Sequence, residues 1–248
     1  MKVRVFRAAD EAAHAAAALV ADQVNRQPGS VLGLPTGRTS LSIYDELVRL
    51  HEANIVDFSR THTFNVDEFV GLSSKDRRSF CAFMEKHLFR RITMPPKQIH
   101  VLNGHARNLD VECRRFEREI ADVGGLDLLL LGIGGNGHIG FNEPGTALRV
   151  RTHRARLTLE TRRANTDLFG GRVTAVPREA VTMGIGTMLD ARGIVLVATG
   201  RAKARAVESM FTGRITTARP ASVLQLHHNV EVILDSAAAE KSFPDGVA

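Results

Sequence analysis

Two kinds of apolar run alternate along this chain. Residues 2–6 (K-V-R-V-F) change between polar and apolar at each step, the period of a strand. Residues 10–26 carry an alanine-rich face that predicts a helix, with Asp10 placed to cap it and Gln27-Pro28-Gly29 to break it. Short apolar runs at 31–34 and 61–65 predict strands. The helix between them, from about residue 39, sets Leu41, Tyr44 and Val48 against Asp45 and Glu46. Residues 66–78 read as a polar loop and 79–91 as a helix stopped by Met94-Pro95-Pro96. A brief extended piece at 99–102 and a charged surface helix at 110–123 follow. The Leu-rich run 126–131 has the length of a strand buried on both faces. Beyond it, 149–166 is rich in Arg and Thr and weakly periodic, which predicts an irregular hairpin or a short helical flap. Runs at 180–185, 193–199 and 230–235 complete the strands, and 201–211 is a helix between the last two. The order predicts one α/β domain over 1–248, with a Rossmann-like, mostly parallel sheet. Helices cover both faces, and a small flap near 146–170 lies over the site.

Composition narrows the partners. Hydrophobic residues make up 44% of the 248 positions and charged residues 24%, as in ordinary soluble globular proteins. A net charge of +6 suits an anionic partner. Trp is absent and Tyr44 is the only tyrosine, so platforms for stacking bases are scarce. A small anion is favoured over nucleic acid. Cys81 and Cys113 form no CxxC and no disulfide framework, which suits a reducing cytoplasm. Lys2, Arg4 and Arg7 before an alanine stretch imitate a signal peptide, but Asp10, Glu11 and His14 interrupt the pattern. No stretch approaches the roughly 20 apolar residues of a membrane span. The expectation is a cytoplasmic protein with no membrane partner; a homo-oligomer is left open.

Four segments carry candidate chemistry. The first is the glycine-rich stretch 132–145, G-I-G-G-N-G-H-I-G-F-N-E-P-G, which directly follows the Leu-rich strand. Open α/β sheets bind ligands at such strand ends. Asn136, His138 and Glu143 there form a sensible proton-shuttling set, with Asn136 able to fix the imidazole by a hydrogen bond. A metal on His138 and Glu143 is disfavoured, because no HExxH or Cys/His cluster accompanies them. The second is the strand-to-helix passage at Thr36, Gly37, Arg38, Thr39 and Ser40. Free N–H groups at a helix start suit a phosphate-like anion. The segment is neither a Walker loop nor G-x-G-x-x-G, so nucleotides are not favoured. Third, Asp67 and Glu68 end a strand in F-N-V-D-E-F, and either could be a general base. Taken alone, the pair reads as a turn Asp and a solvated Glu. Fourth, Lys203 sits in the first turn of a helix, an unfavourable place for a cation unless an anion compensates it.

Together these segments resemble the glucosamine-6-phosphate deaminase family. The likeness is carried by L-G-L-P-T-G-R-T at 32–39, F-N-V-D-E-F-V-G-L at 64–72 and L-G-I-G-G-N-G-H-I-G-F-N-E-P-G at 131–145. T-R-R-A-N at 161–165, T-M-G-I-G-T at 182–187 and G-R-A-K at 200–203 extend it over nearly the whole chain. The resemblance implies conversion of glucosamine 6-phosphate and water to fructose 6-phosphate and ammonia, without a cofactor or metal. It implies that Asp67 moves a proton between C2 and C1 of the open-chain sugar. His138 would open the pyranose ring, oriented by Asn136 and Glu143. Thr36–Ser40 and Lys203 would hold the 6-phosphate. The rivals are a galactosamine 6-phosphate deaminase, a sugar-phosphate lactonase and a non-catalytic sugar-phosphate sensor. A sensor needs a DNA-binding segment, for which the chain has no spare residues.

Four positions depart from the family pattern. Asn136 stands where many members have Asp. Asp167 stands where an Arg usually reaches the phosphate, so Arg38 or Arg172 is expected to compensate. His153 and Ala155 replace the basic side chains of allosterically activated members. Kinetics with the amino-sugar phosphate are therefore expected to be hyperbolic and unchanged by N-acetylglucosamine 6-phosphate. Marked activation by that compound would contradict the reading of His153 and Ala155.

Overall fold

The Leu-rich run lies at the middle of a seven-stranded sheet in a computed structural model that describes residues 1–243. In chain order the first half comprises β1 (Lys2–Phe6), α1 (Ala9–Arg26), β2 (Val31–Leu34), α2 (Arg38–Glu52), β3 (His62–Asn65), β4 (Asp67–Phe69), α3 (Phe80–His87), β5 (Ile99–His100) and α4 (Leu109–Asp122). The second comprises β6 (Leu128–Gly132), β7 (His153–Arg156), α5 (Leu159–Ala164), β8 (Glu179–Thr182), α6 (Ile185–Leu189), β9 (Ile194–Ala198), α7 (Ala204–Phe211), β10 (Val230–Asp235) and α8 (Ser236–Ala239). The large sheet has the order β1-β10-β9-β6-β2-β3-β5, and every pairing in it is parallel.

Alternation along the central strands explains why the runs are apolar throughout. In β6, Leu129 and Leu131 enter the core shared with Phe116 of α4 and Val207 of α7, while Leu130 enters the core shared with α1 and α2. In β9, Ile194, Leu196 and Ala198 join the first core, and Val195 and Val197 the second. Side chains with period two thus feed two layers of helices, which is why these parallel strands have no polar face. Helix α1 buries Ala12, Ala13, Ala16, Ala17, Val20, Ala21 and Val24, small residues that bring its axis close to the sheet and α2.

The order of strands sets where a ligand can sit. From β2 the chain adds β3 and then β5 on one side; it returns to place β6 on the other side of β2, and continues through β9 and β10. The direction of winding reverses between β2 and β6, so the loops leaving their carboxyl ends diverge and open a crevice. Those loops are the two glycine-containing segments singled out by sequence.

Several expectations are corrected. Asp10 does not cap α1: the N-cap is Ala8, without a side-chain bond, and Glu11 instead reaches back to the Arg7 N–H at 3.0 Å. The segment 66–78 is not all loop, because β4 pairs antiparallel with β8, and β8 with β7, in a separate three-stranded sheet. The 180–185 run therefore does not join the parallel sheet. The strand-like part of it ends at Thr182, and Gly184 caps α6. The Arg/Thr-rich segment contributes both a strand, β7, and a short helix, α5.

Gly140 fits where the central loop meets this second sheet. Its φ is +54°, and a Cβ there would lie 2.8 Å from Thr182 Oγ1, 2.9 Å from Met188 Cε and 3.0 Å from Val66 Cγ1. Gly140→Ala combines left-handed backbone strain with overpacking and is expected to cost about 3 kcal/mol. Urea unfolding measures this; a midpoint equal to wild type would show that the loop relaxes freely.

Candidate active site

The chemistry begins where β6 ends. After Gly132 the chain turns tightly, with the Gly137 N–H on Gly134 O at 3.0 Å and the Gly134 N–H on His138 O at 2.9 Å. The His138 ring lies flat on Gly134, where a Cβ would come within 2.1 Å of a ring carbon. Only glycine permits that approach. The Asn136 Oδ1 lies 2.7 Å from His138 Nδ1 and also accepts the His138 backbone N–H at 3.2 Å. On its other side Asn136 Nδ2 donates to Glu143 Oε2 at 2.8 Å. The three residues expected from sequence therefore form one chain, Glu143–Asn136–His138.

Hydrogen-bond logic fixes the proton on that chain. A carboxylate only accepts, so Glu143 orients the NH2 of Asn136 toward itself and the carbonyl toward the imidazole. A carbonyl oxygen at Nδ1 requires that nitrogen to carry hydrogen in the neutral ring, leaving Nε2 bare. Burial pulls the His138 pKa down to about 4, and the Lys203 charge adds to this against the opposing pull of Glu143. His138 is thus neutral near pH 7, and its 3.7 Å approach to Glu143 is not an ion pair there.

Where β3 passes into β4, Val66 is the hinge between the two sheets: its N–H binds Leu34 O at 3.1 Å and its carbonyl accepts the Met183 N–H at 2.8 Å. Asp67 follows, opposite Thr182 of β8, whose hydroxyl accepts the Phe141 N–H at 3.0 Å. The carboxylate strand and the histidine loop are therefore anchored on the same threonine. Asp67 is 8% exposed, and no hydrogen bond to its carboxylate is found among the described residues. Burial, with the nearby Glu68 charge, pushes its pKa up to about 8. Tyr44 lies close enough for the Asp67 charge to add to the effect of burial in raising its own pKa.

Glu68 has the opposite surroundings, although sequence alone suggested a solvated side chain. It is buried, and its carboxylate accepts the N–H groups of Phe69, Phe80 and Cys81 at 2.8, 3.0 and 2.9 Å. It ties β4 to the start of α3. Burial still raises its pKa to about 7, because the three N–H bonds offset only part of the desolvation.

The end of β2 supplies the candidate anion-binding element. Helix α2 begins at Arg38 behind Gly37, and its first N–H groups have no partner within the helix. Ser40 turns its hydroxyl back onto Gly37 O at 2.7 Å, and Thr39 Oγ1 lies 3.4 Å from Thr199 Oγ1 beyond β9. Thr36 Oγ1 is buried without a partner among the described residues. Lys203 ends the short turn that precedes α7. Burial lowers its pKa first and the Arg38 charge next, against Glu160, so the two cations share one rim. Arg38 also pairs with Asp167 at 3.6 Å; both side chains are largely exposed.

Sequence reading missed the polar groups that lock the central loop from the Arg/Thr-rich segment. Thr158 donates its N–H to Glu143 Oε1 at 3.1 Å, and Thr161 Oγ1 lies 3.2 Å from His138 Nδ1. The signal for Thr158 was its place as N-cap of a short helix; nothing local marked its partner. A cavity of about 550 Å³ at the β5 edge is separate from this cluster. Its Arg115, Glu112, Glu119 and His100 are paired among themselves.

The fold and the site define a class: an open α/β protein in which a helix start with free N–H donors and a hydrogen-bonded Glu143–Asn136–His138 loop leave neighbouring strand ends at its switch point. The family described as glucosamine-6-phosphate isomerases/6-phosphogluconolactonase matches residues 6–233, and the chain belongs to it. It is 43% identical over 239 residues to a glucosamine-6-phosphate deaminase of Thermoanaerobacter sp. (strain X514), covering 96% of this chain and 94% of that one. To glucosamine-6-phosphate deaminase 2 of Bacillus subtilis (strain 168) it is 42% identical over 242 residues, 97% of each chain. The solved structure of a monomeric glucosamine-6-phosphate deaminase superposes with a TM-score of 0.94 at 41% identity, covering 97% of this chain and 100% of that one. A 6-phosphogluconolactonase from Trypanosoma cruzi shares the fold with a TM-score of 0.78 at 19% identity, covering 97% and 96%.

Glu68→Gln sets an NH2 group against one of the three backbone N–H donors. It is expected to lower stability by about 2 kcal/mol through that unsatisfied contact. Chemical denaturation checks this, and an unchanged midpoint would mean that Glu68 does not hold α3.

Proposed function

We infer that this chain converts glucosamine 6-phosphate and water to fructose 6-phosphate and ammonia. The reading is carried by one arrangement: a buried, unpaired carboxylate and a neutral imidazole anchored on the same threonine, beside a cationic helix start. In this scheme the N-terminus of α2, with Thr36, Gly37, Arg38, Thr39, Ser40 and Lys203, takes the 6-phosphate. The free N–H groups and two nearby cations match a dianion. Arg38 supplies the charge that Asp167 does not. Holding the remote phosphate aligns C1 and C2 over the other two loops.

His138 Nε2, bare in the resting protein, takes the O1 proton and returns it to O5, and the pyranose opens to the aldehyde. Asp67, as carboxylate, removes the proton on C2; electrons move to O1 and give an enolamine. Returning the proton to C1 yields the C2 iminium. Water adds to that carbon, the nitrogen leaves as ammonia, and fructose 6-phosphate remains. Hydrogen moves from C2 to C1 within the substrate, so no external hydride is consumed. The sequence identity to deaminases of that name supports this reaction over lactone hydrolysis, which has no use for a base at C2. We place the enzyme in the cytoplasm, on cysteines that are both free thiols. No described helix is long and apolar enough to cross a membrane.

The test compares ammonia release from glucosamine 6-phosphate and galactosamine 6-phosphate, with Asp67→Asn as control. The variant should lose about a thousandfold in kcat while still binding the sugar phosphate. Full activity would remove Asp67 from the mechanism. In the wild type, kcat/KM should rise with pH as Asp67 ionises, with its midpoint near the raised pKa of about 8. Stability moves the other way. A carboxyl whose folded pKa is raised from 3.8 to about 8 favours folding below pH 4, and that contribution is lost as pH rises toward 8. Asp67→Asn should therefore gain stability relative to wild type across that window.

A further inference from the structure

Helix α5 is bound to the proton-transfer chain by more than packing. Thr158, its N-cap, uses one hydroxyl oxygen for the Thr161 N–H at 3.2 Å and directs the same group at Glu143 Oε1 and Oε2, at 3.3 and 3.2 Å. Its backbone N–H binds Glu143 Oε1 at 3.1 Å, and Asn136 Nδ2 lies 3.4 Å from its hydroxyl. Thr161, one turn along, is 1% exposed; its Oγ1 is 3.1 Å from the Thr158 hydroxyl and 3.2 Å from His138 Nδ1. Each member of the Glu143–Asn136–His138 chain is thus touched by α5 or its cap.

We propose that Thr158 and Thr161 are positioning residues that hold His138 in its Nδ1–H form, so that α5 must be seated for Nε2 to act as a base. The proposal rests on the reading of His138 as the ring-opening group. The physical argument concerns an amide that can face two ways. Asn136 presents its carbonyl to His138 only while its NH2 is held by Glu143. Glu143 keeps an oxygen there because Thr158 engages the carboxylate by both N–H and hydroxyl. If Thr158 withdraws, the carboxylate loses donors that fix its rotation, and the amide loses the bond that selects its orientation. A flipped Asn136 would turn NH2 toward Nδ1, move the imidazole hydrogen to Nε2 and remove the free lone pair from the reacting nitrogen. Thr161 adds a hydroxyl oxygen 3.2 Å from Nδ1 that accepts while the ring carries its hydrogen there; the same hydroxyl can also donate, so Thr161 holds the ring in place and the Asn136 carbonyl decides against a bare Nδ1. The short helix is therefore part of the apparatus that sets the tautomer.

The readout is 15N NMR of protein labelled in its imidazole rings, with His138→Gln assigning the signal. The wild type should show Nδ1 protonated and Nε2 bare at neutral pH. The isosteric variants Thr161→Val and Thr158→Val should each show mixed tautomers. Each should lose about tenfold in kcat, with KM within about twofold of wild type. Thr161→Ser and Thr158→Ser, which keep the hydroxyl, should recover the wild-type spectrum and most of the rate. Thermal unfolding separates these effects from loss of the α5 cap. A single Nδ1–H tautomer with wild-type kcat in both valine variants overturns the proposal. A wild-type spectrum with Nε2 protonated overturns it without any variant. The spectra need no substrate, so they fail or succeed independently of the deaminase reading, which fails if wild-type protein releases no ammonia.

Discussion

Everything in the site depends on the reversal of winding between β2 and β6. Two parallel strands can be neighbours in the sheet, paired at Leu32 with Leu128 and Gly33 with Leu129, and still send their following loops to opposite faces. Asp127 secures the beginning of this arrangement. Its carboxylate accepts the Val31 N–H at 2.8 Å and the Gln27 side chain at 3.1 Å, and it pairs with Arg192 just before β9. One buried acid thus ties the starts of three adjacent strands, and their parallel direction carries three loops to a common edge. A helix start with free donors and a glycine loop with a histidine then face each other without any long-range feature in either loop.

Adjacent carboxylates at the start of β4 divide two tasks that a single residue could not combine. Glu68 is saturated by three backbone donors and fixes α3; Asp67 finds none among the described residues and bears the cost of burial. Strand geometry makes the division possible, since consecutive side chains leave opposite faces of β4. An unpaired buried carboxylate is destabilising in its charged form, and it persists where the surrounding fold is rigid enough to hold it. That rigidity comes from Val66, bonded to β2 on one side and to Met183, just past β8, on the other.

How much of this was legible follows from how far each feature depends on its neighbours. Strands β2, β6 and β9 were readable because burial on both faces leaves no polar position to confuse the pattern. The second sheet was not, because β4 has three residues and takes its partners from β8, more than a hundred positions later. Asp10 looked like a cap from its residue type, but capping requires the non-helical backbone found at Ala8. Glu68 looked solvated because its donors lie 12 and 13 residues away at the start of another helix. The glycine-rich loop showed its own chain from Asn136 to Glu143, all within seven residues. What surrounds that chain, at separations of 15 and 23 residues, left no local trace.

Asn136 makes the dependence on those distant threonines sharper. A carboxylate at that position would hold Nδ1–H by charge, whichever of its two equivalent oxygens faced the ring. An amide has one accepting end and one donating end, so its service to His138 depends on what grips the other side. Glu143 stands 3.7 Å from Nδ1, with the neutral amide bridging the two, and its charge pulls toward the imidazolium. Burial and Lys203 prevail over it and keep the ring neutral. That balance suits the role proposed for His138, taking a proton from one sugar oxygen and giving it to another: a strongly charged partner would stabilise the imidazolium and slow the second step. The neutral relay gives up electrostatic strength for reversibility, and it transfers the burden of orientation to hydrogen bonds from the neighbouring helix.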